Sequence, residues 1–427
     1  MNAGGQMSGM GEMWRHKRVL AASLIGTAVE FYDFYIYATA ASLIFPSLFF
    51  PSSSPSAQLM ASYGSLALAF LARPLGAAIF GHYGDRIGRK ATLVTSLMLM
   101  GGCTLLIGFL PTYAMIGYWA PLILCLLRFG QGFGLGGEWG GAALLAVENA
   151  PPGWRARFGM FPQLGAPVGF IAANGLFLLL GAFLSDADFF EWGWRLPFLG
   201  SSILVILGLW VRLKLTETPE FAAAQRETPP PAVPLATLLS SHLGAAIAGT
   251  FACAACFAVY YIATAFALGF GTTVLKIDRE IFLAIQLGAI LFMAVSIVLA
   301  GWWSDRTSPT TALAWGCAGT VVMGIVFGPL LASAGLLPIF IALSLALFVM
   351  GFIYGPLGAY LPALFPIQLR YTGASFAFNL GGILGGALAP IVATWLIGMQ
   401  GVGLVGLYMS AAALISLGGL WFTSRYP

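Results

Sequence analysis

Five ionisable side chains lie inside long apolar segments of this 427-residue sequence, and they are Glu30, Asp33, Arg73, Arg128 and Glu138. An ionisable group at the centre of a bilayer is disfavoured by about 3 kcal/mol or more unless it faces a partner or a water-filled cavity. Such groups are typical of ion and proton pathways, so they are the first candidates for chemistry. All five belong to the first half of the chain. We therefore expect the second half to contribute neutral contacts and movement.

Glu30 and Asp33 are three positions apart in the segment Glu30-Phe-Tyr-Asp33-Phe-Tyr-Ile-Tyr37, so a helix places them on one face. Two carboxylates held close together in poorly solvated surroundings do not both remain ionised easily. At least one of them, with Asp33 favoured, is predicted to take up and release a proton near neutral pH. The alternative is that either acid forms an ion pair with a neighbouring arginine.

The fourth apolar segment is polar on one side, where a helix gathers, within an arc of roughly 80°, Arg128, Gln131, Leu135 and Glu138. Its other side collects small residues, namely Gly130, Gly134, Gly137 and Gly141. We expect the polar side to line a cavity and the glycines to admit a neighbouring helix backbone. Arg128 is the natural partner of an ionised Asp33 or Glu30. The alternative is a permanent structural ion pair.

Arg73 lies 12 residues before Asp85, or about 18 Å along a helix. This distance is too long for its side chain to reach the membrane surface easily, so it needs an anion inside. A carboxylate substrate or one of the membrane acids would serve, and arginine suits a planar carboxylate because its donors form a fork. The predicted substrate-binding residues are Arg73, Arg128, Gln131, Glu138, Gln163, Tyr37 and Asn379. Hydrogen bonding between helices is the alternative explanation for the neutral ones.

The apolar segment that contains Arg73 ends in a charged turn, and a weaker copy follows a long apolar run in the second half. The residues of the two copies are Gly81, Gly84, Asp85, Arg86, Gly88, Arg89 and Lys90, then Asp305 and Arg306. Glycine allows tight helix contact, an aspartate caps or bridges a helix end, and basic residues anchor at lipid phosphates. We predict a latch that holds one conformation. The repeat predicts two related halves.

The composition shows which elements must position these residues. Hydrophobic residues make up 59% of the chain, charged residues 8%, and the mean hydropathy is +0.90, whereas soluble chains carry roughly a quarter charged residues. Apolar stretches of about 18 residues or more recur, and they are too long and uniform for barrel strands. The predicted fold is an all-α membrane protein with twelve transmembrane helices in two six-helix bundles.

The predicted organisation is a cytoplasmic N-terminus (1–18), a first bundle (19–215), a proline-rich cytoplasmic linker (216–238), a second bundle (239–423) and a cytoplasmic C-terminus (424–427). Both termini are placed in the cytoplasm because most lysines and arginines fall on that side once the spans alternate. This distribution accounts for the net charge of +4, so the charge does not indicate a nucleic-acid partner. The five cysteines lie in apolar runs and are read as packing residues. No metal or cofactor is expected.

These residues resemble a known family over almost the whole chain, the major facilitator superfamily and within it the metabolite:proton symporter family. The motifs that carry the resemblance are Glu30-x-x-Asp33-Phe34, Arg73-Pro-x-Gly-x-x-x-Phe-Gly-x-x-Gly-Asp-x-x-Gly-Arg-Lys90, Arg128-x-x-Gln-Gly-x-x-x-Gly-Gly-Glu138, Trp192-Gly-Trp-Arg-x-Pro-Phe198, Glu217-Thr-Pro-x-Phe221 and Phe365-Pro-x-x-x-Arg-Tyr-Thr-Gly373. The resemblance implies two six-helix halves around a central cavity that opens alternately to each side. It also implies proton-driven uptake of an organic solute across a bacterial inner membrane, with the family's acid and arginine at Asp33 and Arg128.

One segment departs from the family pattern. The second charged turn, Asp305-Arg306-Thr-Ser-Pro309, lacks the Gly-Arg-Arg/Lys ending that is usual in the family. The latch on that half is therefore expected to be weaker.

The predicted function is proton-coupled symport of a small organic acid by a monomer embedded in the lipid bilayer, without a nucleic-acid partner. Two alternatives keep the fold: a transporter of a zwitterionic osmolyte or amino acid of the proline/betaine type, and a passive facilitator, which the membrane acids disfavour. An enzyme is not predicted, because the spans carry no nucleophile–base or metal constellation. A sensor would need a soluble output domain, for which only the short N-terminus and the linker are candidates.

Overall fold

The computed structural model describes residues 11, 13–52, 54–87, 89–213 and 234–423, and within these ranges the chain is almost entirely helical, with no β-strand. A bilayer core offers no water to backbone N–H and C=O groups, so each apolar segment satisfies them internally as a helix. The predicted all-α fold is confirmed. Most of the predicted linker and the whole C-terminal segment 424–427 lie outside the described residues.

The first half consists of long helices joined by short connections. In its described part the longer helices are α1 (Lys17–Leu43), α2 (Pro55–Ile87), α3 (Arg89–Phe109), α4 (Trp119–Leu135), α5 (Glu138–Val147), α6 (Arg155–Phe183) and α7 (Arg195–Leu213). The span formed by α4 and α5 is interrupted at Gly136 and Gly137, although its sequence pattern predicts one continuous helix.

The second half follows the same plan with two π-helical turns. Its helices are α8 (Pro234–Ser241), α9 (Leu243–Tyr261), α10 (Ala267–Thr273), α11 (Arg279–Ser304), α12 (Pro309–Ala332), α13 (Leu336–Ala363), α14 (Arg370–Gly382), α15 (Ala389–Gln400) and α16 (Gly403–Thr423). The π-turn Ile262–Phe266 joins α9 to α10, and the π-turn Ile383–Ala387 follows α14. The short helix α8 begins within the predicted linker, and the first long span of this half begins at Leu243.

Eleven helices of the described ranges are long and apolar enough to cross a membrane, or twelve if the bent pair Asp186–Gly193 and Arg195–Trp210 is one span. The two parts of that pair meet at an angle of 46°. The prediction of twelve spans agrees with the second count.

The two halves touch at both ends of the bundle. We call the end near Lys17 and Thr423 the terminal end, and the opposite one the distal end. Near the terminal end, α6 packs along α11 and α13, and the turn after α11 contacts the start of α6. At the distal end, the hydroxyl of Tyr63 on α2 donates to the carbonyl of Ala265 at 2.7 Å. Contacts at both ends make this an occluded conformation.

Close helix packing at the glycines of α4, predicted from the sequence, is confirmed. A Cβ atom added to Gly134 would lie 2.9 Å from the carbonyl oxygen of Ser96 on α3. Gly132, which is not one of the predicted glycines, packs as closely, since an added Cβ atom would lie 2.2 Å from the carbonyl oxygen of Ala69 on α2.

Gly132→Ala should therefore destabilise the protein by about 1–3 kcal/mol, because the clash is with backbone that cannot rotate away. The matched control is Gly102→Ala, since nothing lies within 4 Å of a Cβ added at Gly102. Thermal unfolding of both purified variants in detergent measures the difference. Equal unfolding midpoints would contradict the close approach of α2 and α4.

Candidate functional site

Two arginines from apolar spans converge on one aromatic ring. The guanidinium carbons of Arg73 on α2 and Arg128 on α4 lie 4.4 and 4.2 Å from the ring centroid of Phe34 on α1. Arg73 also lies over Phe70 at 4.7 Å, and Arg128 over Tyr37 at 4.0 Å. The two arginines are only 6% and 0% exposed. Cation–π contacts therefore stabilise both charges in a site closed to bulk water.

Several donor groups of these arginines have no acceptor. The Nε atom of Arg73 and the Nε and Nη2 atoms of Arg128 are buried without a hydrogen-bond partner. A buried cation with unpaired donors is strongly disfavoured, and two such cations beside one ring also repel each other. These nitrogens therefore remain available as hydrogen-bond donors within the site.

A small cavity of about 20 Å³ lies beside Arg73, between the two halves. Its lining residues are Glu30, Phe31, Phe34, Arg73, Leu135, Trp139, Phe378 and Asn379, of which the α14 residues Phe378 and Asn379 come from the second half. This volume holds about one water molecule. At this point the occluded structure therefore has only a small cavity where a central cavity is predicted, and a larger molecule would need the halves to separate.

Asp33 faces the interior of the first half and is 1% exposed. The hydroxyl of Thr104 on α3 donates to its Oδ2 atom at 3.1 Å, and the hydroxyl of Ser201 on α7 donates to Oδ1. Thr104 accepts a hydrogen bond from the Nε2 atom of Gln131 at 2.7 Å, and the Oε1 atom of Gln131 accepts one from Arg128 at 3.0 Å. The predicted pair Asp33–Arg128 is thus connected through two side chains and is not a direct ion pair.

The acids have separate surroundings, although Glu30 and Asp33 are predicted to share one helical face. Glu30 lines the cavity beside Arg73, whereas Asp33 is bonded within the first half. Glu138, at the start of α5, is fully buried and accepts a hydrogen bond from the hydroxyl of Ser96 at 2.7 Å. The structure therefore presents three distinct acid sites instead of one carboxylate pair.

The neutral candidates from the sequence are all used in helix contacts. Tyr37 donates to the hydroxyl of Ser65 at 2.7 Å within the first half. Gln163 donates to a backbone carbonyl of α13 at 2.7 Å, which ties the halves together. Asn379 donates to the carbonyl of Gly136 at 2.9 Å and also lines the cavity. Helix-to-helix hydrogen bonding explains Tyr37 and Gln163, while Asn379 is both a contact and a lining residue.

Trp139 and Phe378 close the cavity with a stack that the sequence does not predict. Their ring centroids are 3.8 Å apart and their planes differ by 2°. The indole N–H of Trp139 donates to the Oε1 atom of Gln163 at 3.0 Å. Trp139 directly follows Glu138, the last residue of the Arg128–Glu138 motif, and this position could have identified Trp139 from the sequence. Thr104 and Ser201 carry no such signal, because hydroxyl side chains in apolar helices commonly bond to their own backbone.

Asp305 of the predicted latch joins the two halves at the terminal end. Its carboxylate accepts hydrogen bonds from the backbone N–H groups of Ala156 and Arg157 at 2.8 and 3.0 Å, and the Nε atom of Arg157 lies 3.4 Å away. Burial raises the pKa of Asp305, while the two amide donors and Arg157 act in the opposite direction. The carboxylate of Asp305 therefore lies against the N-terminus of α6, where the helix dipole favours a negative charge.

The other latch candidates differ in their contacts. A Cβ atom added to Gly81 would lie 3.2 Å from the hydroxyl oxygen of Thr372 on α14, so the halves approach closely there. The guanidinium carbon of Arg306 lies over the ring of Trp302 at 3.5 Å and so contacts its own half. Gly88 lies outside the described residues, as do the side chains of Asp85, Arg86, Arg89 and Lys90 and the surroundings of Gly84.

Asp305→Ala should open the terminal end more often, because it removes the acceptor of two backbone N–H groups of α6. Loss of such a cap costs about 1 kcal/mol, which is about a fivefold shift in population. Distances between spin labels at Pro152 and Thr307, both exposed at this end, report the opening. Asp278→Ala is the control, because Asp278 caps no backbone group with its side chain. An unchanged distance distribution in Asp305→Ala would contradict a latch.

Comparison with known proteins finds transporters. The profile of the sugar (and other) transporter family matches residues 19–232. The chain is 49% identical over 411 residues to the inner membrane metabolite transport protein YhjE of Escherichia coli K12, covering 95% of this chain and 93% of the relative. It is 36% identical to the shikimate transporter of the same strain, covering 94% and 93%. It is 30% identical to the proline/betaine transporter of Salmonella typhimurium, covering 94% and 82%.

The fold is also similar to that of a solved structure, the proton:xylose symporter XylE of the major facilitator superfamily. The TM-score is 0.76, and the match covers 96% of this chain and 95% of that chain. The sequence identity is 15%, so this likeness supports the fold and carries nothing about cargo.

Proposed function

Because this chain belongs to the sugar (and other) transporter family of the major facilitator superfamily, we propose that it is a symporter that couples uptake of a small organic acid to a proton. The family assignment makes it a membrane transporter with many helical spans and not an enzyme. Residues of the site support the proposed cargo and the proposed coupling.

The observation that carries the organic-acid cargo is the set of guanidinium nitrogens without an acceptor, which are Nε of Arg73 and Nε and Nη2 of Arg128. Arg73 and Arg128 are buried against one ring with donor nitrogens that have no acceptor. A carboxylate would accept hydrogen bonds from both and neutralise their repulsion, which arginine forks do well. One of the relatives is also named a shikimate transporter, and shikimate is a carboxylic acid. These two points favour a carboxylate over a neutral solute.

Asp33 is the proposed proton carrier. It is a buried carboxylate with hydroxyl partners and no direct cation, so uptake of a proton does not leave an unpaired arginine beside it. In the proposed cycle, protonation of Asp33 weakens its hold on Arg128, and the organic anion enters and binds. The halves then rock, and release to the other side follows deprotonation. Coupling requires that the empty, unprotonated carrier change conformation at a different rate from the loaded one.

A zwitterionic cargo of the proline/betaine type is the second candidate, and the cavity lining favours it in one respect. Glu30 and Arg73 lie on one cavity whose walls include Trp139 and Phe378. A carboxylate and aromatic faces suit a cation, while the arginine suits an acid group. The second guanidinium, Arg128, adds positive charge and supports the anion over the zwitterion.

The moving parts and the orientation are part of the same proposal. The bundles 19–215 and 239–423 would move as units joined by the linker 216–238. The terminal end, with both termini, would face the cytoplasm of a bacterium whose inner membrane holds the chain, since basic residues concentrate there. Asp305 and Gly81 would then belong to a latch on the cytoplasmic side.

Uptake into proteoliposomes tests the proposal. The panel comprises radiolabelled dicarboxylates, 2-oxoglutarate, shikimate, proline and betaine, each with and without an imposed inward proton gradient. We expect an organic acid to accumulate only while the gradient is present. Accumulation that persists after the gradient is collapsed would refute symport, and accumulation of betaine or proline alone would favour the zwitterion.

A further inference from the structure

We propose that Asp33 controls Arg128 through Thr104 and Gln131, and that the Thr104 hydroxyl changes its acceptor when Asp33 takes up a proton. This inference rests on the proposed proton coupling. It assigns positioning roles to two residues that lie between the acid and the arginine.

The four side chains form one continuous line of hydrogen bonds. Arg128 Nη1 donates to Gln131 Oε1 at 3.0 Å, and Gln131 Nε2 donates to Thr104 Oγ1 at 2.7 Å. Thr104 Oγ1 donates to Asp33 Oδ2 at 3.1 Å. All four residues are at most 1% exposed, so water does not compete for these bonds. A charge change at Asp33 therefore reaches Arg128 along this line.

The Thr104 hydroxyl has two acceptors within reach but only one proton to donate. Besides Asp33 Oδ2, its oxygen lies 3.0 Å from the carbonyl oxygen of Met100 on its own helix. When Asp33 is ionised, the charged carboxylate is the stronger acceptor and takes the bond. When Asp33 is protonated on Oδ2, the carboxyl itself donates to Thr104, and the hydroxyl turns to Met100. Each protonation state thus has a complete set of hydrogen bonds.

Reorientation of the Thr104 hydroxyl changes the strength of the hydrogen bond from Arg128 to Gln131. With Asp33 ionised, every bond from Arg128 to the carboxylate points in one direction, and aligned bonds strengthen one another. With Asp33 protonated, Asp33 becomes a second donor to Thr104, and the line of bonds from Arg128 ends at the neutral carbonyl of Met100 instead of at a carboxylate. Gln131 is then a weaker acceptor for Arg128. The guanidinium of Arg128 becomes free to bind the substrate carboxylate in the protonated carrier, which is the order that symport needs.

Other ionisable groups surround Asp33, and the test must separate them. Besides Asp33, the buried charged residues in the described spans of the first half are Glu30, Arg73, Arg128 and Glu138, with Arg157 near the start of α6. Helix α1 itself also carries the buried phenols Tyr32, Tyr35 and Tyr37. Helices α3 and α7 face Asp33 with the hydroxyls of Thr104 and Ser201. Because Glu30 and Glu138 are also buried carboxylates of the first half, a pH profile of uptake alone would not identify the group that titrates.

Infrared spectroscopy of the full chain in proteoliposomes observes Asp33 without any substrate. The C=O band of its protonated carboxyl is assigned as the acid-minus-neutral band that Asp33→Asn removes. In Thr104→Val the band should move to higher frequency, because the carboxyl loses its acceptor. Its titration midpoint should rise by about one pH unit, because the ionised form loses a hydroxyl donor. Thr104→Ser should restore both values.

Transport provides the second readout, with radiolabelled shikimate and the compound that the wild type accumulates from the panel as probes. Thr104→Val should keep exchange between equal concentrations yet lose most of the gradient-driven accumulation, and Thr104→Ser should keep both. The matched control is Thr320→Val, because Thr320 is equally buried and donates only to the carbonyl of Gly316 in its own helix.

The two hypotheses fail differently. An unchanged infrared band in Thr104→Val, or full accumulation by that variant, would overturn the role of Thr104. Absence of gradient-driven accumulation in the wild type would instead refute the proposed symport, while the infrared result would still decide whether Thr104 responds to Asp33. A misfolded Thr104→Val would lose exchange as well, and Thr104→Ser then decides: recovery of exchange without accumulation would overturn the proposal.

Discussion

Proteoliposomes that contain Asp33→Asn should exchange substrate but should not accumulate it when a proton gradient is imposed. Asparagine keeps the size of the side chain: its oxygen accepts from one of the hydroxyls of Thr104 and Ser201 and its NH2 group donates to the oxygen of the other. The packing of α1, α3 and α7 therefore survives. It cannot take up a proton, so the gradient no longer drives the cycle. For one proton per cycle, the wild type should concentrate its cargo about tenfold per pH unit, and the variant not at all.

The control for this experiment is an exposed carboxylate near the distal end. Asp188→Asn alters an exposed side chain that bonds only locally to Ser185, so it should accumulate substrate as the wild type does. Gradient-driven accumulation by Asp33→Asn would remove Asp33 from the coupling mechanism. Loss of exchange together with accumulation would mean that Asp33 is needed for the conformational change itself.

Arg73→Met should lower the apparent affinity for an organic anion by about 10- to 100-fold. The hydrogen bonds of a charged donor contribute about 1.5–3 kcal/mol, and each 1.4 kcal/mol is a tenfold change in affinity. Methionine fills the space beside Phe34 and Phe70, so the variant should fold. Arg73→Lys keeps the charge but loses the fork and the planar contact with the rings, so it should restore only part of the affinity.

Concentration-dependent exchange measures this effect as a change in KM. Lys276→Gln is the matched control, because it removes an exposed cation at the distal end. An unchanged KM in Arg73→Met would show that Arg73 is a structural cation and would leave Arg128 as the remaining candidate. A KM that rises equally in both variants would indicate a general effect of surface charge on the local anion concentration.

The sequence is most informative where a residue type is energetically unfavourable in the lipid bilayer. Arg73, Arg128, Asp33, Glu30 and Glu138 stand out because charges are rare in apolar spans, and each is buried in the structure. The helices are predictable for the same reason, since long apolar runs in a bilayer have few other options. The break at Gly136 and Gly137 is not predictable, because glycine in a membrane helix more often permits close packing than ends the helix.

Contacts between distant residues decide what those charges do. The i, i+3 spacing of Glu30 and Asp33 predicts a shared face, but α1 lies between different neighbours, so one acid meets the cavity and the other meets α3 and α7. The stack of Trp139 on Phe378 joins residues 239 positions apart along the chain. No local pattern signals such a partner.

By itself, the amino-acid sequence determined that this protein spans a membrane as helices and that its first half carries the buried charges. Both follow from free energies of transfer, which depend on residue type alone. The tertiary structure alone decided that Thr104 and Gln131 separate Asp33 from Arg128. It also decided that Arg73 and Arg128 meet at Phe34 with donor nitrogens that have no acceptor. These relations depend on which helix faces which, and that is settled by packing over the whole bundle.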